Sequence, residues 1–310
     1  MGYSQIATPL RRQHSVRVQV PAQFEYERAT SVDHAIALLT RHGPESRVVA
    51  GGHSLIPMMK LRLAQPEMLV DINDLGELSS IRMHDGELRL GAMLRHADLL
   101  ASPLVGDHFP ILHDAERVIA DPVVRNRGTV GGSVCQADPS EDLAAVGAAL
   151  RAELVVRSTG GDRSIPAREF HSGPYETVLA PAEILTEVRV PIRPGAGSAY
   201  EKVERRVGDW AIAAAGAFVS LDGDAVSDVG IGLTAVGAPH FCAPDAEDAL
   251  RGQDATDENL AAAAEAAAEA CNPAADQRGP ADYKRHLARE LTLRALRRSV
   301  ARARGEAGGG

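Results

Sequence analysis

Three cysteines in 310 residues, Cys135, Cys242 and Cys271, lie far apart and form no C-x-x-C pair. That scarcity argues against zinc, iron–sulfur or dithiol redox chemistry on this chain's own thiols. An odd count without a disulfide framework fits a reducing compartment. Long apolar runs are missing too: stretches such as Ala211 to Val219 fall far short of the ~20 residues of a membrane span. Basic residues are in deficit, with Lys plus Arg 33 against Asp plus Glu 42 and a net charge of −9. A general nucleic-acid binder is excluded on that ground, because counterion release needs clustered cations. Arg11 and Arg12 invite comparison with a twin-arginine export signal, yet no apolar segment follows them. The expected location is therefore cytoplasmic, and residues 1–17 are expected to form a disordered leader.

What is present reads as an α+β chain. Val16 to Val20 alternates like a strand, and Ser31 is positioned to cap a helix that carries Ala35, Ile36, Leu38 and Leu39 on one face until Gly43 ends it. A buried strand at Arg47 to Ala50, a Gly-Gly turn, a short apolar segment broken by Pro57 and a strand at Met68 to Ile72 follow. From Leu75 to about Val190 the pattern changes. Short strands (Ile81 to Met83, Glu87 to Leu90), helical stretches near Asp98 and at Ile111 to Val118, a long polar loop, and strands at Leu154 to Arg157 and Ile184 to Val190 read as a second unit. Pro191 to Gly197, with two prolines and two glycines, predicts a domain boundary. Beyond it come strands at Ser198 to Val203, Ala211 to Leu221 and Ala225 to Val236, the last two joined by a hairpin signal at Asp222-Gly223-Asp224. An Ala-rich helix at Asn259 to Cys271 and a long amphipathic helix at Tyr283 to Arg304 complete the chain, with residues 305–310 expected as a disordered tail. That last helix is strongly basic, which reads either as a docking surface for an acidic partner or as a solvated face.

Two glycine-rich segments carry the chemistry. In AGGHSLIPMMKLR, residues 50–62, a strand runs into Gly51 and Gly52 and a short helix opens at Ser54. Paired glycines let backbone N–H groups approach an anion that a Cβ would hold off, so the segment is suited to cradle phosphate. A plain strand-to-helix turn is the alternative. In DPVVRNRGTVGGSVCQADPSEDL, residues 121–143, Gly131 and Gly132 read as a second Gly-Gly turn with further N–H donors, and Asp138, Glu141 and Asp142 are acceptors suited to sugar hydroxyls. Together the segments imply a diphosphate joined to a polyol. For Glu141 a solvated turn is the preferred reading.

Competing signals are weaker. Neither segment continues into Lys-Ser or Lys-Thr, which argues against a nucleoside-triphosphate P-loop. GIGLTA, residues 230–235, has the form of a nicotinamide fingerprint but lies in a strand-like run, with Pro239 where a helix should begin.

With both segments quoted, AGGHSLIPMMKLR and RNRGTVGGSVCQADPSEDL, the chain resembles the FAD-binding medium subunits of molybdenum hydroxylases, most of all those of the aerobic carbon monoxide dehydrogenase type. The resemblance runs over about residues 18–300. It implies a two-subdomain FAD-binding fold of the p-cresol methylhydroxylase and vanillyl-alcohol-oxidase type (residues 18–193, divided near 75) followed by a small C-terminal α+β domain (198–304). It further implies that Val49, Ala50, Gly51, Gly52, His53, Ser54 and Leu55 surround the FAD diphosphate, with Thr129, Val130, Gly131, Gly132 and Ser133 on its other side. Asp142 is implied at the hydroxyl-bearing portion of the cofactor, and Ile119, Leu185 and Lys202 near the flavin ring. No catalytic acid, base or nucleophile and no metal ligand is implied here. The implied partners are a large molybdenum–pterin subunit and a small subunit with two iron–sulfur clusters, in a dimer of heterotrimers. A membrane-associated electron acceptor would place the assembly at the inner face of the membrane. The alternatives are the FAD subunit of a xanthine-, nicotinate- or aldehyde-type hydroxylase and, less favoured, a stand-alone flavin oxidoreductase drawing on Tyr175, His171 or Lys202 for a substrate site.

Overall fold

The computed structural model describes residues 19–306, so the expected leader lies outside the described residues. Three short strands, β1 (Glu25–Arg28), β2 (Ser46–Val49) and β3 (Met68–Asp71), form a parallel sheet in the order β1-β3-β2. The crossover from β1 is the helix Val32–His42, started by Ser31, whose Oγ accepts from His34 N at 3.0 Å, and ended by Gly43 at φ 69°. Its Ala35, Ile36, Leu38 and Leu39 are buried in one cluster with Met68 and Val70 of β3. Most of the strand expected at Val16 to Val20 lies outside the described residues, and Gln19 and Val20 are irregular. The first described strand, β1, is an edge strand whose residues are mostly exposed, so no apolar alternation marks it.

A second, antiparallel sheet is built from β4 (Ile81–His84), β5 (Glu87–Gly91), β6 (Glu153–Ser158), β7 (Gly161–Pro166) and, after a small ribbon of β8 (His171–Gly173) with β9 (Glu176–Thr177), β10 (Ile184–Pro191). The order is β4-β5-β10-β6-β7. Helices inserted between β5 and β6 share its core, among them His96–Ala101, Pro110–Val118 and Asp142–Leu150. The long polar loop expected after Val118 also holds two helices, Pro122–Arg125 and Val130–Gln136, each capped by the side chain before it, Asp121 and Thr129.

The third sheet, β11 (Gly197–Val203), β12 (Ala213–Asp222) and β13 (Ala225–Thr234), is antiparallel, and Gly223 at φ 61° turns the last hairpin. It is covered on both faces. Ala213, Ala215 and Ala217 of β12 face the C-terminal helices Asp257–Glu269 and Ala281–Ala303, while Ala214 and Phe218 join the core of the second sheet. Helix Asp142–Leu150 lies so close that a Cβ on Gly230 or Gly232 would overlap the carbonyl oxygens of Ala149 or Ala145. The glycines of GIGLTA are thus strand residues that admit a helix, and they form no phosphate loop.

Gly305 and Glu306 are not tail residues. Gly305, at φ 69°, and Glu306 donate to Arg302 O (3.1 Å) and Ala301 O (2.9 Å), closing the last helix in a Schellman arrangement, and only 307–310 lie outside the description. Several basic side chains of that helix pair with carboxylates: Arg298 and Arg302 reach Asp114 at 3.2 and 2.7 Å, Arg297 reaches Asp257 at 2.9 Å, and Lys284, 4% exposed, bonds Asp276 at 2.8 Å. These pairs tie the C-terminal helix to the rest of the protein, while Arg285, Arg294 and Arg297 stay exposed. Among the described residues no helix is long and apolar enough to cross a membrane.

Candidate functional site

A cleft of about 820 Å³ runs between the three sheets, lined by residues from all of them. It opens at the carboxyl end of β2, where parallel sheets characteristically hold ligands. There the chain leaves Val49 and enters Gly51. A Cβ on Gly51 would overlap Arg127 O and stand 2.8 Å from Gly128 Cα, so the two glycine-rich segments touch backbone to backbone. Gly52 follows at φ 76°. The N–H groups from Gly51 to Leu55 have no acceptor among the described residues and form a row of free donors.

This loop is held from behind by residues the sequence reading missed. Asn73 donates from Nδ2 to Ala50 O at 2.7 Å and to Asp71 Oδ1 at 2.6 Å, and it accepts from Arg95 at 2.8 Å. Arg95 also donates to Arg127 O, and Tyr26 OH donates to the other oxygen of Asp71. Both glycine segments are thereby fastened to the end of β3. Asn73→Ala strands Ala50 O without a partner, leaves Arg95 only its bond to Arg127 O, and is expected to cost about 2 kcal/mol. Urea unfolding of the flavin-free chain measures it, and a loss within about 0.5 kcal/mol of zero would mean that the loop is held by other contacts.

The second segment differs from its expectation. Gly131 and Gly132 do not make a turn; they sit in the first turn of helix Val130–Gln136, and their donors are used. Val130 N bonds Leu94 O (3.0 Å), Gly131 N bonds Ala92 O (2.8 Å), Gly132 N bonds Thr129 Oγ1 (3.1 Å) and Ser133 N bonds Thr129 O (2.9 Å). The glycines serve close approach instead: a Cβ on Gly131 would stand 2.6 Å from that of Ala92. Only the first segment offers a phosphate-sized row of N–H groups, and the second is the wall against it.

Further along, Asp142 is 5% exposed and accepts from Tyr200 OH at 2.6 Å and Lys202 Nζ at 2.8 Å, and Lys202 also donates to Val118 O at 3.1 Å. Burial pushes the Asp142 carboxyl up, against the opposing pull of Lys202. Glu141 is no solvated turn residue. It is 5% exposed, lines the cleft, and has no salt-bridge partner among the described residues. Burial, and next the neighbouring Asp142, push its carboxyl up to about 7.

The cleft gathers Ala50, Gly51, Gly52, His53, Ser54, Leu55, Ile119, Thr129, Gly131, Gly132, Ser133, Asp142, Leu185 and Lys202 along its walls. Two expected residues are not among them. Val49 packs with Met59 and Leu69, and Val130 lies in the core of the second sheet, each an apolar side chain taken up by a hydrophobic cluster. Trp210 stands 41% exposed at the cleft. His171 lies away from it, its Nε2 2.9 Å from Val134 O, which leaves it no part in a substrate site there. No periodicity or spacing marks Asn73 or Arg95, since each fastens the glycine segments through partners distant in the chain.

Glycines filled by neighbouring backbone, a row of free N–H groups and a long cleft continued by apolar and charged walls fit a flavin dinucleotide, and fold and site together define a flavoprotein. Residues 22–193 match the model of the FAD binding domain in molybdopterin dehydrogenase, and residues 198–299 that of the CO dehydrogenase flavoprotein C-terminal domain. The chain belongs to that molybdopterin dehydrogenase FAD-binding family. It is 43% identical over 284 residues to the carbon monoxide dehydrogenase medium chain of Hydrogenophaga pseudoflava, covering 91% of this chain and 99% of that one. It is 35% identical to the glyceraldehyde dehydrogenase medium chain of Sulfolobus acidocaldarius, covering 89% and 98%. Among solved structures, carbon monoxide dehydrogenase from Hydrogenophaga pseudoflava lacking the Mo-pyranopterin moiety superposes with a TM-score of 0.89 at 45% identity, covering 91% of this chain and 99% of that one.

Proposed function

We propose that this chain is the FAD-carrying medium subunit of a molybdenum hydroxylase that oxidises carbon monoxide, taking electrons from iron–sulfur clusters on a small subunit and passing them to an external acceptor. The observation that carries the reading is the row of free N–H groups from Gly51 to Leu55, set against the backbone of the second glycine segment. FAD, when bound, supplies the redox chemistry, able to take electrons singly and deliver them in pairs.

The chain's own residues bind and orient. Donors from Gly51 to Leu55 hold the diphosphate, and the segment of Gly131 and Gly132 walls its other side. Lys202, fixed between Asp142, Val118 O and Glu204 (3.5 Å), sets a cation in the wall that Ile119 and Leu185 make apolar. Trp210 shields the rim from water. Molybdenum–pterin and iron–sulfur centres belong on the large and small subunits, and we place this chain in a dimer of heterotrimers whose acceptor is membrane-associated.

Purification of the native assembly tests the reading. Acid release is expected to yield one FAD per chain, with iron and molybdenum on copurifying chains and CO-dependent reduction of an artificial acceptor. A chain that takes up no FAD overturns the proposal. An assembly that reduces the acceptor with glyceraldehyde and not with CO supports the second reading, an aldehyde-type hydroxylase, which the Sulfolobus relative favours.

A further inference from the structure

One polar cluster reaches the cleft without a part in the reading above. His96 opens the helix His96–Ala101 and is 2% exposed, and Glu116, from Pro110–Val118, is fully enclosed. His96 Nδ1 lies 3.0 and 3.1 Å from the two oxygens of Glu116, and its Nε2 lies 3.0 Å from Ser133 Oγ. The ring is admitted by Gly128, where a Cβ would stand 2.9 Å from His96 Cδ2. His96 and Ser133 both line the cleft. A buried His–Glu pair is costly to desolvate and is poor evidence of a merely stabilising role.

Its protonation decides what Ser133 offers. When the pair carries its full complement of protons, Nε2 bears a hydrogen wherever the proton between Nδ1 and Glu116 resides. Nε2–H then donates to Ser133 Oγ, and the hydroxyl hydrogen is free to turn into the cleft. When one proton is lost, Glu116 keeps Nδ1–H, the Nε2 lone pair accepts from Ser133, and only oxygen lone pairs face the cleft. We infer that Glu116 and His96 are positioning residues that present the Ser133 hydroxyl as a hydrogen-bond donor to an anionic oxygen of the dinucleotide, so that cofactor affinity depends on the proton they hold.

The surroundings favour the protonated pair. Against burial, which opposes its charge, the Glu116 carboxylate holds His96 above its ordinary 6.5, with smaller help from Glu141 and Asp142 at the start of the next helix. Burial raises Glu116 as well, despite His96, while Arg125 from the helix Pro122–Arg125 acts in the other direction. Lys202 offsets Asp142. With His96 raised, the donor state is complete below about pH 6.5 and is lost as pH rises through the raised value.

The inference rests on FAD occupying the cleft, and the test separates the two. FAD is titrated into the flavin-free full chain between about pH 6 and about pH 9, followed by fluorescence quenching, with Glu141→Gln as the parent so that Glu141's own titration does not contribute. The parent is expected to bind FAD roughly tenfold more weakly at the alkaline end. Ser133→Ala is expected to bind more weakly at low pH and to lose that slope, and Ser133→Thr to restore it. Glu116→Gln is expected to move the transition down by about one pH unit, because an amide does not hold the imidazolium. A merely structural role predicts weaker binding in Ser133→Ala with the slope intact, and that result, or a flat parent profile, overturns the inference. Absence of FAD binding at every pH overturns the reading of the cleft instead.

Discussion

Gly51→Ala is expected to purify without flavin. Its methyl group must displace either the Arg127 carbonyl or the loop itself, since the Cβ overlaps Arg127 O and comes within 2.8 Å of Gly128 Cα. Neither side yields easily: Arg127 O is bonded by Arg95, and the loop is bonded through Asn73 to Ala50 O. A shift of about an ångström misaligns the donors from Gly51 to Leu55 together. FAD affinity is expected to fall about 100-fold or more, equivalent to roughly 3 kcal/mol. Flavin content per chain and titration of the flavin-free protein measure it. Gly52→Ala is the contrast, because there the Cβ meets only side-chain atoms, Ile56 Cγ1 at 3.2 Å and Val49 Cγ2 at 3.8 Å, and the cost is the positive φ of 76°. That strain is about 1 to 2 kcal/mol. Equal losses from the two variants would mean that backbone conformation, and not the contact with the second segment, governs the site.

Glu141→Gln is expected to stabilise the flavin-free protein, and only at neutral to alkaline pH. The carboxyl moves from an ordinary 4.5 in the unfolded chain to about 7 in the fold. Below pH 4.5 both states are protonated and the burial has no ionic cost. Between 4.5 and 7 the unfolded state ionises while the folded state does not, so stability falls as pH rises, by up to about 3 kcal/mol at pH 8. Glutamine removes that loss. Its advantage should vanish near pH 4.5 and reach about 6 °C in melting temperature near pH 8. An advantage of the same size at both values would show that Glu141 is solvated and that the stabilisation has another origin.

The local signals of the chain were legible because they are local. The Ser31 cap, the Gly43 stop and the Gly223 hairpin depend on a few consecutive residues. Other elements escaped for equally physical reasons. β1 and β7 are edge strands with mostly exposed side chains, so neither shows the alternation of a half-buried strand. Helix Val130–Gln136 read as a loop because two glycines oppose helix formation, and the fold overrides them with the Thr129 cap and the tight fit of Gly131 on Ala92. Glu141 read as solvated because acidic turn residues usually are, whereas the fold leaves it 5% exposed, with Thr234 of β13 donating to its carbonyl oxygen at 3.0 Å.

By itself the sequence determined the two glycine segments, the class of ligand they suit, the α+β alternation and the resemblance to a family, since each is written in neighbouring residues. The tertiary structure alone decided which of those glycines offer free N–H groups, that Asn73 and Arg95 fasten them, and that His96, Glu116, Glu141 and Asp142 meet in one wall. The reason is the reach of the contacts. Lys202 and Asp142 are 60 positions apart and Arg302 and Asp114 are 188. Whether a carboxylate at such a position is paired, desolvated or bathed in water depends on elements that only the folded chain brings together.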